Sequence, residues 1–448
     1  MNDLKEIAKD VLEVSLAAGA DDSLAEAIES TVHQVRYSNS QIDAVNSWTE
    51  KHVALFVAIG KHTMASDLRD IANAKESARN LVALAKSSPP KETYAGIASG
   101  RFKYKKSKLD SRILKLDEPS KFAHEAIAGA ESEGAVNVGG TFFARHRRSA
   151  IASSGGANGA DETAWVELSV RAFSQPEASG HAVSCTPKLS DMDARRTGAR
   201  AGELSKMAMN AVTGEEGKHD IVMQPLFIGG IMESTSSMMS AFVVDIGASM
   251  YVKKLGKKVA SNEITFIDDP TISSISARAF DHEGVPTRRN VVIKGGVLKT
   301  YLHNTSTAAR YKTKTTANAG PLIPTPFAFP GEPTAFHPVV VPGDWSEREL
   351  IEDTKHGLYL NHTWYTRFQN YRTGEFSTIP RDAILKIEDG EIVGAVKNIR
   401  VSDNMMNLWK SVDALSKNTQ EIFWWDEAAP PSTLPTARAR SMRITRSA

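Results

Sequence analysis

Residues Glu26–Tyr37 read EAIESTVHQVRY, Gln41–Trp48 read QIDAVNSW and His52–Ile59 read HVALFVAI. These runs are rich in β-branched and aromatic residues and are separated by short polar breaks. They predict consecutive strands, not a strand–helix–strand rhythm. Ahead of them Leu4, Ile7, Ala8, Val11 and Leu12 recur at helical spacing, with Gly19 as a stop. Behind them Ile71, Ala74, Ala78, Leu81, Val82 and Ala85 mark a second helix, closed by Ser87-Ser88-Pro89-Pro90. A helix–meander–helix unit over residues 1–90 is the expected first domain.

Working outward, residues 91–215 form the second expected unit. It opens with a polar stretch, Tyr94–Leu116, carrying Arg101, Lys103, Lys105, Lys106 and Lys108 and read as a linker or solvated face. A helix over Ser120–Glu133, four β-rich segments from Ala135 to Cys185 and a charged helix over Ser190–Ala211 follow. The third unit, residues 216–429, opens with a strand at Ile221–Met223 and a helix begun by Pro225. Gly295-Gly296 and Asp389-Gly390 each sit between apolar runs, which predicts two hairpins. Ser346-Glu347-Arg348-Glu349 is a capping box, with Gly357 as the expected helix stop. Residues 430–448, with Arg438, Arg440, Arg443 and Arg446, read as a disordered Arg-rich tail. The expected class is α+β: a helix-plus-meander domain, a β-rich middle domain with helices, and a large C-terminal mixed-sheet domain.

The 448 residues carry 54 Lys and Arg against 53 Asp and Glu, a net charge of +1. That balance excludes a generally basic nucleic-acid binder and an acidic disordered chain. The single cysteine, Cys185, excludes a disulfide framework and any zinc site built on paired cysteines. The longest uncharged stretch, Thr315–Gly331, holds Pro321, Pro324, Pro326 and Pro330 and cannot be a spanning helix. The N-terminus lacks the apolar core of a secretion signal, so a soluble cytoplasmic protein without membrane or direct nucleic-acid contact is expected.

No nucleophile elbow, phosphate loop or dinucleotide fingerprint is present. A helical metal site needs two imidazoles and a carboxylate to activate water. His124-Glu125 and His282-Glu283 each lack a second histidine and read as surface pairs. Cys185 with His181 four residues upstream could form a nucleophilic pair on one strand face, but a lone cysteine is more often a small buried apolar residue. Asp268-Asp269-Pro270 reads as a turn.

From Gly256 the text carries a more specific pattern. Gly256-Lys257-Lys258-Val259-Ala260-Ser261, Asp268-Asp269-Pro270-Thr271 and Phe280-Asp281-His282-Glu283-Gly284-Val285-Pro286-Thr287 occur in order and run into Val291–Leu302. Thr316-Ala317-Asn318-Ala319, Pro342-Gly343-Asp344, Thr373-Gly374-Glu375-Phe376-Ser377, Asp389–Val393 and Asn404 continue it. The chain resembles the TldD/PmbA family over about residues 1–415. Chains of the TldD branch carry H-E-x-x-x-H on the helix after the strand matched by Ile221–Met223. The corresponding window here is Met232-Glu233-Ser234-Thr235-Ser236-Ser237: Glu233 is retained, but Met232 and Ser237 replace both histidines. Thioether and hydroxyl are poor zinc ligands. The C-terminal ligating cysteine of the TldD branch is also absent, which points to the PmbA (TldE) branch.

The resemblance implies a non-catalytic subunit of a cytoplasmic TldD–TldE metalloprotease complex acting on unfolded or extended peptides. It implies no catalytic residue or metal on this chain. Zinc or another divalent metal is expected on a TldD-type paralogue in a heterodimer; a homodimer is possible in isolation. Asp281, Glu283, Gly284, Arg289 and Asn318 are the candidate substrate-cavity or motif residues. Two other readings stay open: a self-sufficient metal or cysteine hydrolase using His181, Cys185, Glu233 or His282, and a homodimeric peptide-binding protein.

Overall fold

The computed structural model describes residues 1–321, 331–425 and 427–446. Pro324, Pro326 and Pro330 lie outside the described residues. The chain opens with α1 (Asn2–Ala17), β1 (Asp22–Ser38), β2 (Gln41–Ile59), β3 (His62–Leu68) and α2 (Ala74–Ser87). The runs Gln41–Trp48 and His52–Ile59 are thus one strand. Thr49-Glu50-Lys51 between them holds no glycine or proline that could turn the chain. β1 and β2 pair antiparallel from Asp22↔Ala58 to Ser38↔Gln41.

α3 (Ser120–Ser132), β4 (Asn137–Ser153), β5 (Asn158–Gln175), β6 (Ala178–Thr186) and α4 (Ala194–Met207) follow, with three strands where four segments are expected. β4 pairs directly with β1, so one six-stranded sheet runs β3-β2-β1-β4-β5-β6 and joins the first two units. Alternation gives this sheet two different faces. On one, Ala25, Ala27 and Val53 meet Leu4, Ala8 and Val11 of α1 and Ala78 and Leu81 of α2. Further along that face Val35 and Phe142 meet Phe122 and Ala126 of α3. On the opposite face Leu24 and Ile151 pack against Ala279 and Phe280 of the third unit. Both faces of β1 are therefore covered between Ser23 and Ile28, which is why its text does not alternate cleanly there.

The third unit contains β7 (Val212–Thr213), β8 (Gly217–Met223), α5 (Pro225–Ser237), α6 (Ala241–Asp245), β9 (Phe266–Asp268), β10 (Asn290–Lys294), β11 (Val297–Leu298) and α7 (Thr305–Arg310). It continues with β12 (Pro338–Val340), α8 (Glu347–Glu352), β13 (His356–Asn370), β14 (Glu375–Glu388), β15 (Glu391–Lys397), β16 (Ile399–Asn404), α9 (Met405–Ser411), β17 (Val412–Trp424) and β18 (Ala428–Arg446). Its strands form a 12-stranded sheet ordered β11-β10-β9-β12-β18-β8-β13-β14-β15-β7, with β16 on β14 and β18 and β17 on β18. Both expected hairpins are present, as β10–β11 and β14–β15. α5 supplies Leu226, Phe227, Ile231 and Met232 to the main core of this unit. The mixed helix and strand content is that of an α+β fold.

Two expectations are corrected here. The residues read as an Arg-rich tail are β18, which pairs with β8, β12, β16 and β17 in the middle of the sheet; only residues 447–448 lie outside the described residues. Ala437, Ala439, Met442 and Ile444 are buried, and Arg438 and Arg440 between them are paired, while Arg443 is exposed. Arg438, 2% exposed, meets Asp413 at 3.0 Å and Asp353 at 2.9 Å, while Arg440 meets Asp220 and Asp413 at 2.6 Å. A charge run looks solvent-seeking in the sequence when its partners lie far away along the chain. Gly357 does not stop α8, whose last residue is Glu352; it sits in β13, where a Cβ would lie 2.6 Å from the Asp220 carbonyl oxygen of β8.

Candidate functional site

The face of the six-stranded sheet that meets the third unit carries Leu24 and Glu26 on β1, Arg147 and Ile151 on β4, and Asp161, Thr163 and Trp165 on β5. Successive side chains two apart point the same way, so these strands deliver a charged and aromatic row to one interface. Facing it are Ile275–Pro286 of the third unit. Asp161 clasps the two together: its Oδ2 accepts the Ala279 N–H at 2.8 Å and the Ser107 hydroxyl at 3.1 Å. The polar stretch expected as a linker also acts as a strap, because the Tyr104 hydroxyl donates to the Gly284 carbonyl at 2.8 Å. Beside this seam opens a cleft of about 500 Å³, lined among others by Arg147, Trp165, Glu233, Arg278, His282, Phe336 and Pro430.

The charge in the cleft is organised around Glu26. Its Oε1 accepts from Arg147 at 3.0 Å and its Oε2 contacts His282 Nδ1 at 2.8 Å. Burial alone would raise this carboxyl, but His282, Arg147 and Arg278 together hold it at about 2. Burial and the neighbouring Arg278 guanidinium lower the His282 imidazole, with Glu26 opposing them. A neutral ring accounts for both contacts: Nδ1–H donates to Glu26, and Nε2 accepts from Arg278 at 3.3 Å. Both ring nitrogens are thereby engaged. Arg278 also lies over the Phe336 ring, 4.1 Å from its centroid, while burial lowers its guanidinium to about 10 and leaves it cationic at neutral pH.

The window 232–237 lies on α5 beside this cleft. Its side chains go three ways. Met232 is fully buried in the core of the third unit, Glu233 lines the cleft, and the Ser237 hydroxyl donates back to the Ser234 carbonyl at 3.3 Å. A zinc-type ion needs three or four N, O or S donors converging at about 2.0–2.3 Å. The residues at this window do not meet that requirement, and the only imidazole lining the cleft among the described residues, His282, has both nitrogens occupied.

The other sequence candidates are mostly buried structural groups. Asp281 accepts the backbone N–H groups of Glu283, Val285 and Ala319, and burial with the nearby Glu283 raises it to about 7. Glu283 is buried and takes the N–H and hydroxyl of Thr305 at the start of α7. The pair His282-Glu283, expected at the surface, is thus interior, because the turn that carries it folds into the seam between sheet and third unit. Gly284 adopts φ +81°, and a Cβ there would lie 2.5 Å from the Ala157 Cβ. Asn318, 0% exposed, donates to Asp268 at 2.6 Å and to the Thr334 carbonyl at 2.8 Å, and accepts from Asn290 at 3.1 Å. It is a buried cross-link between β9, β10 and the segment at Thr334. Arg289 stands apart, 56% exposed and 3.6 Å from Asp269.

Cys185 and His181 share the buried side of β6, as their spacing implies. The thiol donates to the Phe423 carbonyl at 3.3 Å, and burial with Glu167 and Glu421 raises it well above the usual thiol range. No thiolate is available for nucleophilic attack at neutral pH. Sequence reading missed Glu26, Arg147, Trp165 and Arg278. Three of them lie in ordinary strand text, and only Arg278 falls near the recognised block, two residues before Phe280.

Comparison with known proteins places this architecture. The PmbA/TldA metallopeptidase central domain matches residues 110–209, and the PmbA/TldA metallopeptidase C-terminal domain matches residues 216–446. The chain belongs to the PmbA/TldD family of metallopeptidases. Among solved structures it is similar to TldE from Thermococcus kodakarensis, with TM-score 0.86 and 19% identity over 98% of this chain and 100% of that one. It is also similar to a Thermotoga maritima protein labelled a modulator of a DNA gyrase, with TM-score 0.84 and 21% identity over 98% of this chain and 99% of that one. At such identities these likenesses speak to the fold. A metalloprotease of Methanocaldococcus jannaschii is 33% identical over 215 residues, 45% of this chain and 44% of that protein. A metalloprotease of Methanothermobacter thermautotrophicus is 32% identical over 236 residues, 50% of this chain and 49% of that protein. The chain spans about half the length of the curated relatives it matches. Among the described residues no helix is long and apolar enough to cross a membrane.

Proposed function

We propose that this chain is the TldE-type subunit of a two-subunit cytoplasmic metalloprotease. It supplies walls and substrate contacts, while a TldD-type paralogue carries the catalytic zinc or related divalent metal. The observation that carries this reading is the window on α5: Glu233 borders the cleft, but Met232 sits in the core and Ser237 bonds to its own helix. The rest of the cleft suits an extended peptide. Arg147 and Arg278 can meet carboxylates, and Trp165 and Phe336 offer apolar surface, with no activated nucleophile beside them among the described residues. The alternative cysteine hydrolase is disfavoured by the buried, protonated thiol of Cys185.

The test is peptide cleavage by the chain alone, by its TldD-type partner alone, and by the two together. Cleavage that requires both chains, and that disappears when the partner's motif histidines are replaced, is the expected result. Robust chelator-sensitive cleavage by this chain alone overturns the reading.

A further inference from the structure

A second constellation lies away from the cleft, where three strands bring metal-ligating side chains together in the interior. β6 supplies His181, β13 supplies His362 and β14 supplies Asp382. His181 Nδ1 lies 3.5 Å from His362 Nδ1, His362 Nδ1 lies 3.2 Å from Asp382 Oδ2, and His181 Nδ1 lies 3.9 Å from the same oxygen. The point equidistant from three atoms at those separations is about 2.1 Å from each, within the Zn–N and Zn–O range of about 2.0–2.2 Å.

Hydrogen bonding alone accounts poorly for the cluster. The Ser169 hydroxyl meets His181 Nε2 at 2.9 Å, which accounts for that nitrogen and leaves Nδ1 aimed at another Nδ1. His362 Nε2 is buried with no hydrogen-bond partner among the described residues, and it stays so whether or not Nδ1 holds an ion. The far oxygen of the carboxylate accepts from the Ser179 hydroxyl at 2.8 Å and lies 3.0 Å from Arg171 Nε, while Arg171 Nη2 donates to Oδ2 itself at 3.3 Å, so the guanidinium orients both oxygens. Asp382 itself adopts φ +61°, a backbone state that an L residue keeps when its surroundings impose it.

We propose that His181, His362 and Asp382 bind one divalent transition-metal ion of the zinc class, with a fourth position open to water. Two imidazoles and a carboxylate are a donor set for borderline ions and a poor one for calcium or magnesium. Of the three ligands Asp382 alone lines a cavity, one of about 250 Å³ shared with Ser179 and Pro380. Arg171 shares the carboxylate and repels a cation, so binding is weaker than at an all-cysteine structural site. The site stands independently of the reading of the cleft. The expectation of no metal on this chain rests on the helical window, which contributes none of the three ligands.

The experiment is a cobalt titration of the purified full-length chain after chelator treatment, followed by visible absorption and checked by zinc competition. One equivalent of cobalt with ligand-field bands, displaced by zinc, is expected. Asp382→Asn, which tolerates the same backbone, and His362→Gln should each weaken uptake about tenfold or more, with circular dichroism confirming the fold. Glu233→Gln, in the cleft, should leave uptake unchanged. Absence of stoichiometric uptake, equal uptake in all four chains, or loss confined to Glu233→Gln overturns the proposal. None of these outcomes depends on whether the chain needs a partner to cleave peptides.

Discussion

Replacing Gly284 with alanine puts a methyl into the contact between the third unit and the loop after β4. Two separate costs follow. The backbone stands at φ +81°, where an L residue loses about 1–2 kcal/mol. The new Cβ lies 2.5 Å from the Ala157 Cβ, an overlap that neighbouring atoms relieve at about 1–3 kcal/mol. Gly284→Ala should therefore destabilise by about 2–5 kcal/mol. Ala157→Gly removes the methyl that is struck and on its own costs about 1 kcal/mol. In the double variant the overlap disappears and the dihedral strain stays, so the two changes should couple favourably by about 1–3 kcal/mol. Urea unfolding of the wild type, both single variants and the double variant measures each term. A single-variant cost below about 0.5 kcal/mol, or a double variant whose loss equals the sum of the singles, refutes the reasoning.

Glu26→Gln leaves Arg147 and Arg278 facing each other across a buried amide, and the thermal unfolding midpoint should fall by an amount equivalent to about 3 kcal/mol or more. Glu421 is half-buried and raised by desolvation to about 8 from an ordinary 4.5, its carboxyl group accepting the Ile275 N–H at 2.7 Å. A raised folded-state acid stabilises below its unfolded value and loses that contribution as pH rises through the folded value. The Glu421→Gln variant should therefore gain on the wild type between pH 4.5 and 8, by at most about 1.4 kcal/mol per unit; parallel stability curves for the two proteins would refute this. Termination after Glu427 deletes β18 and leaves β8, β12, β16 and β17 without a shared neighbour, so soluble yield should collapse. Normal yield and circular dichroism from that truncation would contradict the strand's central place.

Much of the fold was legible because its signals are local. The first helix, the meander, both glycine-marked hairpins and the capping box at Ser346 depend on residues within a few positions of one another. What failed was long-range. Arg438 and Arg440 of β18 are matched by Asp220, Asp353 and Asp413 from three other segments, and no short window around residue 438 contains them. His282 and Glu283 read as surface residues because their text is polar; Glu26, some 250 residues earlier, is what makes one of those polar groups a buried one. The candidate site shows the same division. That residues 232 and 237 are Met and Ser, with no imidazole at either, is plain in the sequence. Glu26, Arg147 and Trp165 are assembled by strand register, and His362 and Asp382 meet His181 through a hairpin and a neighbouring sheet edge.

The pairing of Met223 with Ala437 has a consequence for biosynthesis. On a translating ribosome β8 emerges long before β18, and its other neighbour, β13, is likewise still unmade. The six-stranded sheet, complete once β6 has been made, can settle while translation continues. The larger sheet cannot, since closing its widest loops awaits the last segment threaded between strands already formed. Nascent β8 and α5 must therefore spend the interval with apolar surface uncovered. A trigger-factor-like holdase is the kind of helper such an interval favours, and ribosome stalling before β18 is where its occupancy should peak.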